Sequence, residues 1–237
     1  MALKSYDWKG NLIHDFGGEL YRYLDYIGGG YFAAMWLAGG FPSRITYGII
    51  KITNGSVHTV RTLASLTPIP GDVHGGIVHN GHHFYVALEC KITRPSVLYK
   101  RYIEKYDRNW KQVFKKEIDS TLFDVVLKSH CIELDTNRII YATNGGLVKS
   151  ISPNNFTLGQ SVYRLAVMVD YANLLDICMT KHRIITTNLD SGANAKGVIV
   201  WDKTKTANKI INFFPITYTG TISTGITTDG RVIYVGI

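Results

Sequence analysis

Apolar residues in this chain seldom recur three or four apart. They alternate with polar residues over short stretches that end at Gly, Asn, Asp or Pro. Such alternation buries one face of a β-strand and leaves the other in water. Two kinds of strand–turn–strand unit repeat along the chain. The first reads ALKSYDWKGNLIHDF near Tyr6, YGIIKITNGSVHTV near Ile52, YIEKYDRNWKQVF near Tyr106, GLVKSISPNNFTLGQ near Ile151 and GVIVWDKTKTANKII near Trp201. Their spacings are 46, 54, 45 and 50 residues, and the step through the chain ends back to Tyr6 is 42. The second kind lies between them, as GIVHNGHHFYVAL, CIELDTNRIIYAT, DICMTKHRIITT and GITTDGRVIYVGI, with DYIGGGYFAAMWL as a degenerate first copy. Asn80-Gly81 and Asp229-Gly230 are hairpin signals, because type I′ turns need positive φ at both central residues.

The two units together make four strands, labelled a to d from an axis outward. The expectation is an all-β fold: a five-bladed β-propeller with four antiparallel strands per blade. Its blades span approximately 22–64, 70–120, 122–165, 171–214, and 219–237 with 1–18. The last unit holds only strands a and b, so the N-terminal residues supply c and d and close the ring. A linear array would need polar caps at its ends instead.

Val198-Ile-Val-Trp201-Asp202 followed by Thr204 resembles strand c and its turn in a WD-repeat. Tyr6-Asp7 and Tyr106-Asp107 are weaker echoes. Ile52-Thr53 and Ile151-Ser152 depart from the pattern, and the Gly-His dipeptide of WD-repeats is absent. The resemblance implies a propeller and no particular member. The compact size is similar to that of five-bladed lectin propellers.

Antiparallel strands place the a-to-b and c-to-d turns on one face and the longer d-to-a and b-to-c loops on the other. Function commonly sits on variable loops held by a rigid scaffold, so the ligand face is expected on the long-loop side. Candidate ligand-binding residues are Asp25, Trp36, Phe41, Arg44, Asp72, His74, Arg94, Tyr171, Asp176, Asn194 and Tyr218. Asp25 and Asp176 are read as equivalent residues of strand a, with Asp72 and Asp124 near other strand starts. Acids around a narrow axis could bind a channel cation such as calcium, act as an acid/base pair, or accept backbone hydrogen bonds at blade entries. Trp36, Phe41, Tyr171 and Tyr218 could face sugars or pack between blades. His79, His82 and His83 flank a tight hairpin with no carboxylate or cysteine to complete a metal site.

Composition adds a charge asymmetry. The formal net charge is +8, and residues 91–116 hold nine basic side chains against two acids, a local net of +7. Lys100, Arg101, Lys105, Arg108, Lys111, Lys115 and Lys116 form a candidate patch for an anionic partner, or lysines that guard an exposed sheet edge. Cys90, Cys131 and Cys178 are too far apart in sequence for a metal pair and read as buried hydrophobes. No run of 18 apolar residues and no secretory leader is read, which points to a cytoplasmic or virion-associated protein without a transmembrane segment.

The favoured function is a non-enzymatic, lectin-like module that recognises a glycan or another surface ligand and needs no cofactor. A protein-interaction or assembly subunit is the first alternative. A glycoside hydrolase using Asp25 and Asp176 is the second, disfavoured because no Glu is read in an inner strand and the loops are short for a cleft. Nucleic-acid binding through the basic blade is the remaining option.

Overall fold

A computed structural model describes residues 3–17, 20–38, 44–67, 73–92, 98–118, 132–135, 138–142, 147–156, 158–164, 174–188, 197–203, 210–216 and 225–236. Among these residues the regular elements are all strands, and none is a helix long and apolar enough to cross a membrane.

The strands group into five four-stranded antiparallel sheets. The first is β3 (Leu20–Gly28), β4 (Tyr31–Ala38), β5 (Arg44–Thr53) and β6 (Ser56–Leu66). The second is β7 (Val73–His79), β8 (Phe84–Ile92), β9 (Leu98–Tyr106) and β10 (Gln112–Ile118). The third is β11 (Ile132–Asp135), β12 (Arg138–Ala142), β13 (Leu147–Ile151) and β14 (Leu158–Arg164). The fourth is β15 (Leu174–Met179), β16 (Arg183–Asn188), β17 (Gly197–Asp202) and β18 (Ile210–Pro215). The fifth joins β19 (Ile226–Thr228) and β20 (Ile233–Gly236) to β1 (Leu3–Tyr6) and β2 (Leu12–Gly17). In it Leu3 pairs with Gly236 and Tyr6 with Ile233.

The first strands of the sheets form a closed circuit: β3 touches β7, β7 touches β11, β11 touches β15, β15 touches β19, and β19 touches β3. The core lies between adjacent sheets. One cluster joins Cys178, Ile185 and Val200 of the fourth to Ile226, Ile233 and Val235 of the fifth. Another joins Val78, Tyr85 and Ile103 of the second to Ile132 and Ile151 of the third.

The turns repeat as closely as the strands. At the hairpins between the first two strands of a sheet, Asn80 Oδ1 accepts the N–H groups of His82 and His83 at 3.0 and 2.8 Å. Asp229 Oδ1 does the same for Arg231 and Val232 at 2.8 and 3.0 Å, and Thr180 Oγ1 for His182 and Arg183 at 3.3 and 3.0 Å. Only Gly81 and Gly230 among these residues have positive φ. With only the glycine of each pair at positive φ, these hairpins are not the type I′ turns expected from the sequence, which need it at both central residues.

At the turns between the last two strands, Asp7 Oδ1 accepts the N–H groups of Lys9 and Asn11, each at 2.8 Å. Asp107 Oδ1 accepts those of Asn109 and Lys111 at 2.8 and 2.9 Å. Gly10 has the left-handed φ of 89° that this turn demands, and Trp110 and Phe156 take the matching place at 62° and 53°. A left-handed backbone is costly for an aromatic residue. Packing offsets the cost: Trp110 stacks on Tyr106 at 4.4 Å and meets Tyr47 of the first sheet at 5.3 Å. Phe156 meets Tyr85 and Phe114 of the second sheet at 6.2 and 5.1 Å.

Candidate functional site

The inner strands set the axis. Asp25, Val78, Glu133, Cys178 and Thr227 occupy one shared position. Their partners Ala33, Tyr85, Ile140, Ile185 and Tyr234 each lie two residues past the hairpin. Asp25 is thus equivalent to Cys178, and not to Asp176 as the sequence suggests. A register shift between Tyr26 and Gly28 offsets the count by one in the first sheet.

This position carries a latch between sheets. Its side chain accepts the N–H of the residue that follows the same position on the next inner strand. Thr227 Oγ1 accepts from Tyr26 at 3.0 Å and Asp25 Oδ2 from His79 at 2.7 Å. Glu133 accepts from Met179 and also from Leu134, the latter at 2.7 Å. Two residues before the shared position of its strand, Asp176 Oδ2 accepts from Ile226 at 2.9 Å while its Oδ1 accepts from Ile177 at 2.9 Å. Three of the five boundaries are latched in this way, and Asp176 bridges a fourth from a different position. The boundary between the second and third sheets has Val78 at the latch position, and its side chain has no acceptor.

Asp25, Glu133 and Asp176 are 7%, 8% and 3% exposed and feel one another's charge. Burial pushes Asp25 up to about 7, against the pull of the His79 N–H. Burial raises Glu133 well above the carboxylate range, and the charges of Asp25 and Asp176 add to it. Burial likewise raises Asp176. The buried Cys178 thiol is raised by burial first and then by all three carboxylates. Like charges that cannot all ionise in a dry site share protons. Asp25, Glu133, His79, Cys178 and Thr228 help to line a small cavity of about 240 Å³ at the turn-bearing ends of the inner strands. No group of three or more His, Cys, Asp or Glu among the described residues could hold a metal ion.

Glu133 corrects the expectation that no Glu occupies an inner strand. The CIELD segment had been recognised as part of a hairpin, but its Glu had not been placed at the axis. Trp36 is another difference. It is 3% exposed and meets Tyr21 at 6.0 Å inside the first sheet, rather than on a loop surface. Arg44 is exposed at the start of β5. His74 belongs to β7 and pairs with Leu88, but its side chain is outside the described set. Phe41, Asp72, Arg94, Tyr171, Asn194 and Tyr218 lie outside the described residues.

The basic patch is partly matched by acids. Lys100 pairs with Glu117 at 2.9 Å and Lys115 with Glu104 at 2.7 Å. Lys116 Nζ donates to the Asn155 carbonyl at 3.2 Å. Arg101 lies in β9 with its side chain outside the described set, and Lys111 is exposed. Lys105 faces a cleft of about 600 Å³ between the second and third sheets, together with Asn80, His82, His83, Tyr85 and Asn154. A second cleft of about 500 Å³, lined in part by His14, Phe16, Asn54 and Tyr234, lies between the fifth and first sheets.

This architecture defines a β-propeller. Among solved structures the chain is similar to the glutaminyl cyclase of Myxococcus xanthus, at 9% identity and a TM-score of 0.51, over 88% of this chain and 73% of that one. It is also similar to a GH43 endo-arabinanase from Bacillus licheniformis, at 11% identity and a TM-score of 0.46, over 89% of this chain and 84% of that one. BamB from Moraxella catarrhalis aligns at 12% identity and a TM-score of 0.39, over 95% of this chain and 63% of that one. Such likeness concerns the fold alone. No family model matches the sequence, and no curated protein matches it. The WD-like stretch around Trp201 therefore identifies no repeat type.

Proposed function

We propose that this propeller is a non-enzymatic binding module that recognises a glycan or another surface ligand. The observation that supports this reading is the use made of the axial acids. Asp25, Glu133 and Asp176 each accept an N–H from the neighbouring sheet. A glycosidase would need two such carboxyls facing substrate, one giving a proton and one attacking or activating water. Here they join the ring. Two clefts between sheets on the turn-bearing face, of about 600 and 500 Å³, are in the range of small-ligand sites and offer places for recognition besides the long-loop face expected from the sequence.

A glycan array probed with the purified protein, repeated in EDTA and in high salt, tests this. The expected result is reproducible binding to one sugar class that survives Asp25→Asn and Asp176→Asn. Hydrolysis of a bound sugar, abolished by either substitution, would replace the reading with the glycosidase. Absence of binding across the array would sink it.

An assembly role is a second reading, supported by the sheet edges. Leu12 and Ile13 of β2, Val60 of β6, Val113 of β10 and Ile211 of β18 are each more than half exposed on outer strands. Large exposed apolar side chains gathered on edges favour association. Light scattering that shows a defined oligomer, dissociated by Val113→Lys or Ile211→Lys, would favour it.

A further inference from the structure

We infer that the cleft between the second and third sheets binds the anionic group of a sugar acid or sugar ester, an assignment that rests on the glycan-binding reading. The cleft lies at the boundary where Val78 replaces the axial latch, beside the turn Asn80–His83. Among the described residues that line it, His82, His83 and Lys105 are basic and none is acidic.

The local hydrogen bonds fix which groups are donors. Arg108 Nη2 lies 3.1 Å from His82 Nδ1 and 3.3 Å from the Gly81 carbonyl. A guanidinium has only N–H donors, so in this contact His82 Nδ1 is the acceptor. Asn80 is occupied by its own turn: Oδ1 holds the N–H groups of His82 and His83, and Nδ2 donates to Tyr85 Oη at 3.1 Å. Lys105 Nζ lies 5.7 Å from the centre of the Tyr85 ring. The one carboxylate acting on His83, Asp107, caps the neighbouring turn with its Oδ1. Burial lowers the pKa of His83, and Lys105, His82 and Arg108 lower it further. The cleft therefore sets the Lys105 ammonium beside the His82 and His83 rings, with no acid among its described lining residues. A carboxylate, sulfate or phosphate would pair with Lys105 and accept from the neighbouring N–H donors.

A sugar-borne anion fits this site better than a nucleic-acid backbone. The basic residues line one cleft, and Tyr85 is 1% exposed, which leaves no open ring on which a base could stack.

The test is calorimetric titration with sulfated or uronic-acid oligosaccharides and with their neutral counterparts. The wild type is expected to bind the acidic form at least tenfold more tightly. Lys105→Gln and His83→Gln should each remove most of that preference, while Lys9→Gln, an exposed basic residue on the β1–β2 turn, should keep it. Inorganic sulfate should compete. Four results would overturn the inference. Neutral sugars binding equally well would do so while leaving glycan recognition standing. Equal losses in Lys105→Gln and Lys9→Gln would mean diffuse attraction, as would tighter binding of single-stranded nucleic acid. No binding of any sugar would remove the glycan reading as well.

Discussion

The Asp25 carboxylate accepts the backbone N–H of His79 at 2.7 Å, across the boundary between the first and second blades. Both ends of this bond belong to inner strands, so it holds two blades together at the axis. Removing a buried acceptor strands its donor, which costs about 1–3 kcal/mol. Asp25→Ala should lose stability on that scale in urea denaturation. Asp25→Asn keeps an acceptor oxygen and should lose less. Equal losses would mean that the carboxylate's charge, and not its bond, matters.

The axial acids also set a pH dependence. Asp25 is raised in the folded state from 3.8 to about 7, and Glu133 and Asp176 are raised in the same direction. A raised folded pKa means that the folded chain holds protons the unfolded chain has released. The resulting stability is fully present below about pH 4 and is lost as pH rises through 7. The Asp25 contribution should therefore make the protein less stable at pH 8.5 than at pH 6. Asp25→Asn should flatten that difference in matched denaturation curves. A wild type unchanged between the two pH values would refute a raised Asp25.

Trp110 holds a left-handed backbone, φ 62°, to stack on Tyr106 and fill the seam against Tyr47. Trp110→Gly removes the backbone strain, and Trp110→Ala does not. Both lose the ring, and truncating a packed aromatic costs about 3–5 kcal/mol. Both variants should be destabilised in thermal melts, with Trp110→Gly the less affected. The reverse order would contradict this account of the turn.

Inside the fourth blade the Trp201 indole N–H donates to Thr186 Oγ1 at 2.9 Å, and both residues are essentially inaccessible. Thr186→Val keeps the shape and removes the acceptor. It should cost about 1–3 kcal/mol and shift Trp201 fluorescence, whereas Thr186→Ser should restore most of both.

Gly236 seals the ring where β20 pairs with β1. A Cβ there would run into the carbonyl oxygen of Tyr21 on the neighbouring blade. Backbone cannot step aside as a flexible side chain can, so Gly236→Ala should lower the melting temperature by several degrees, equivalent to about 1–3 kcal/mol. Gly81→Ala tests a different constraint: no atom lies near its Cβ, but its φ of 89° is unfavourable for alanine.

Much of the local architecture could be read from the residues. Alternation located the strands, Asn80 and Asp229 marked hairpins, and Asp25 and Asp176 were placed on inner strands. The basic segment was legible as a count, but not as a surface. Lys100 meets Glu117 seventeen residues later, and Lys115 meets Glu104 on the adjacent strand. Trp36 lies near a loop in sequence, but it sits inside β4 (Tyr31–Ala38), and the strand carries its ring into the core.

By itself the sequence determined the hairpins and their grouping by four, because turn chemistry and strand periodicity act between near neighbours. The axial site was decided only by the tertiary structure. Glu133 joins Asp25 and Asp176 because the inner strands meet around one axis, and nothing local to CIELD carries that information. The match of Asp25 with Cys178 depends on a one-residue bulge that alternation cannot reveal. The high proton affinity of the acids arises first because the assembled blades bury them, and for Glu133 and Asp176 also because neighbouring acids repel them, while backbone N–H groups pull the other way.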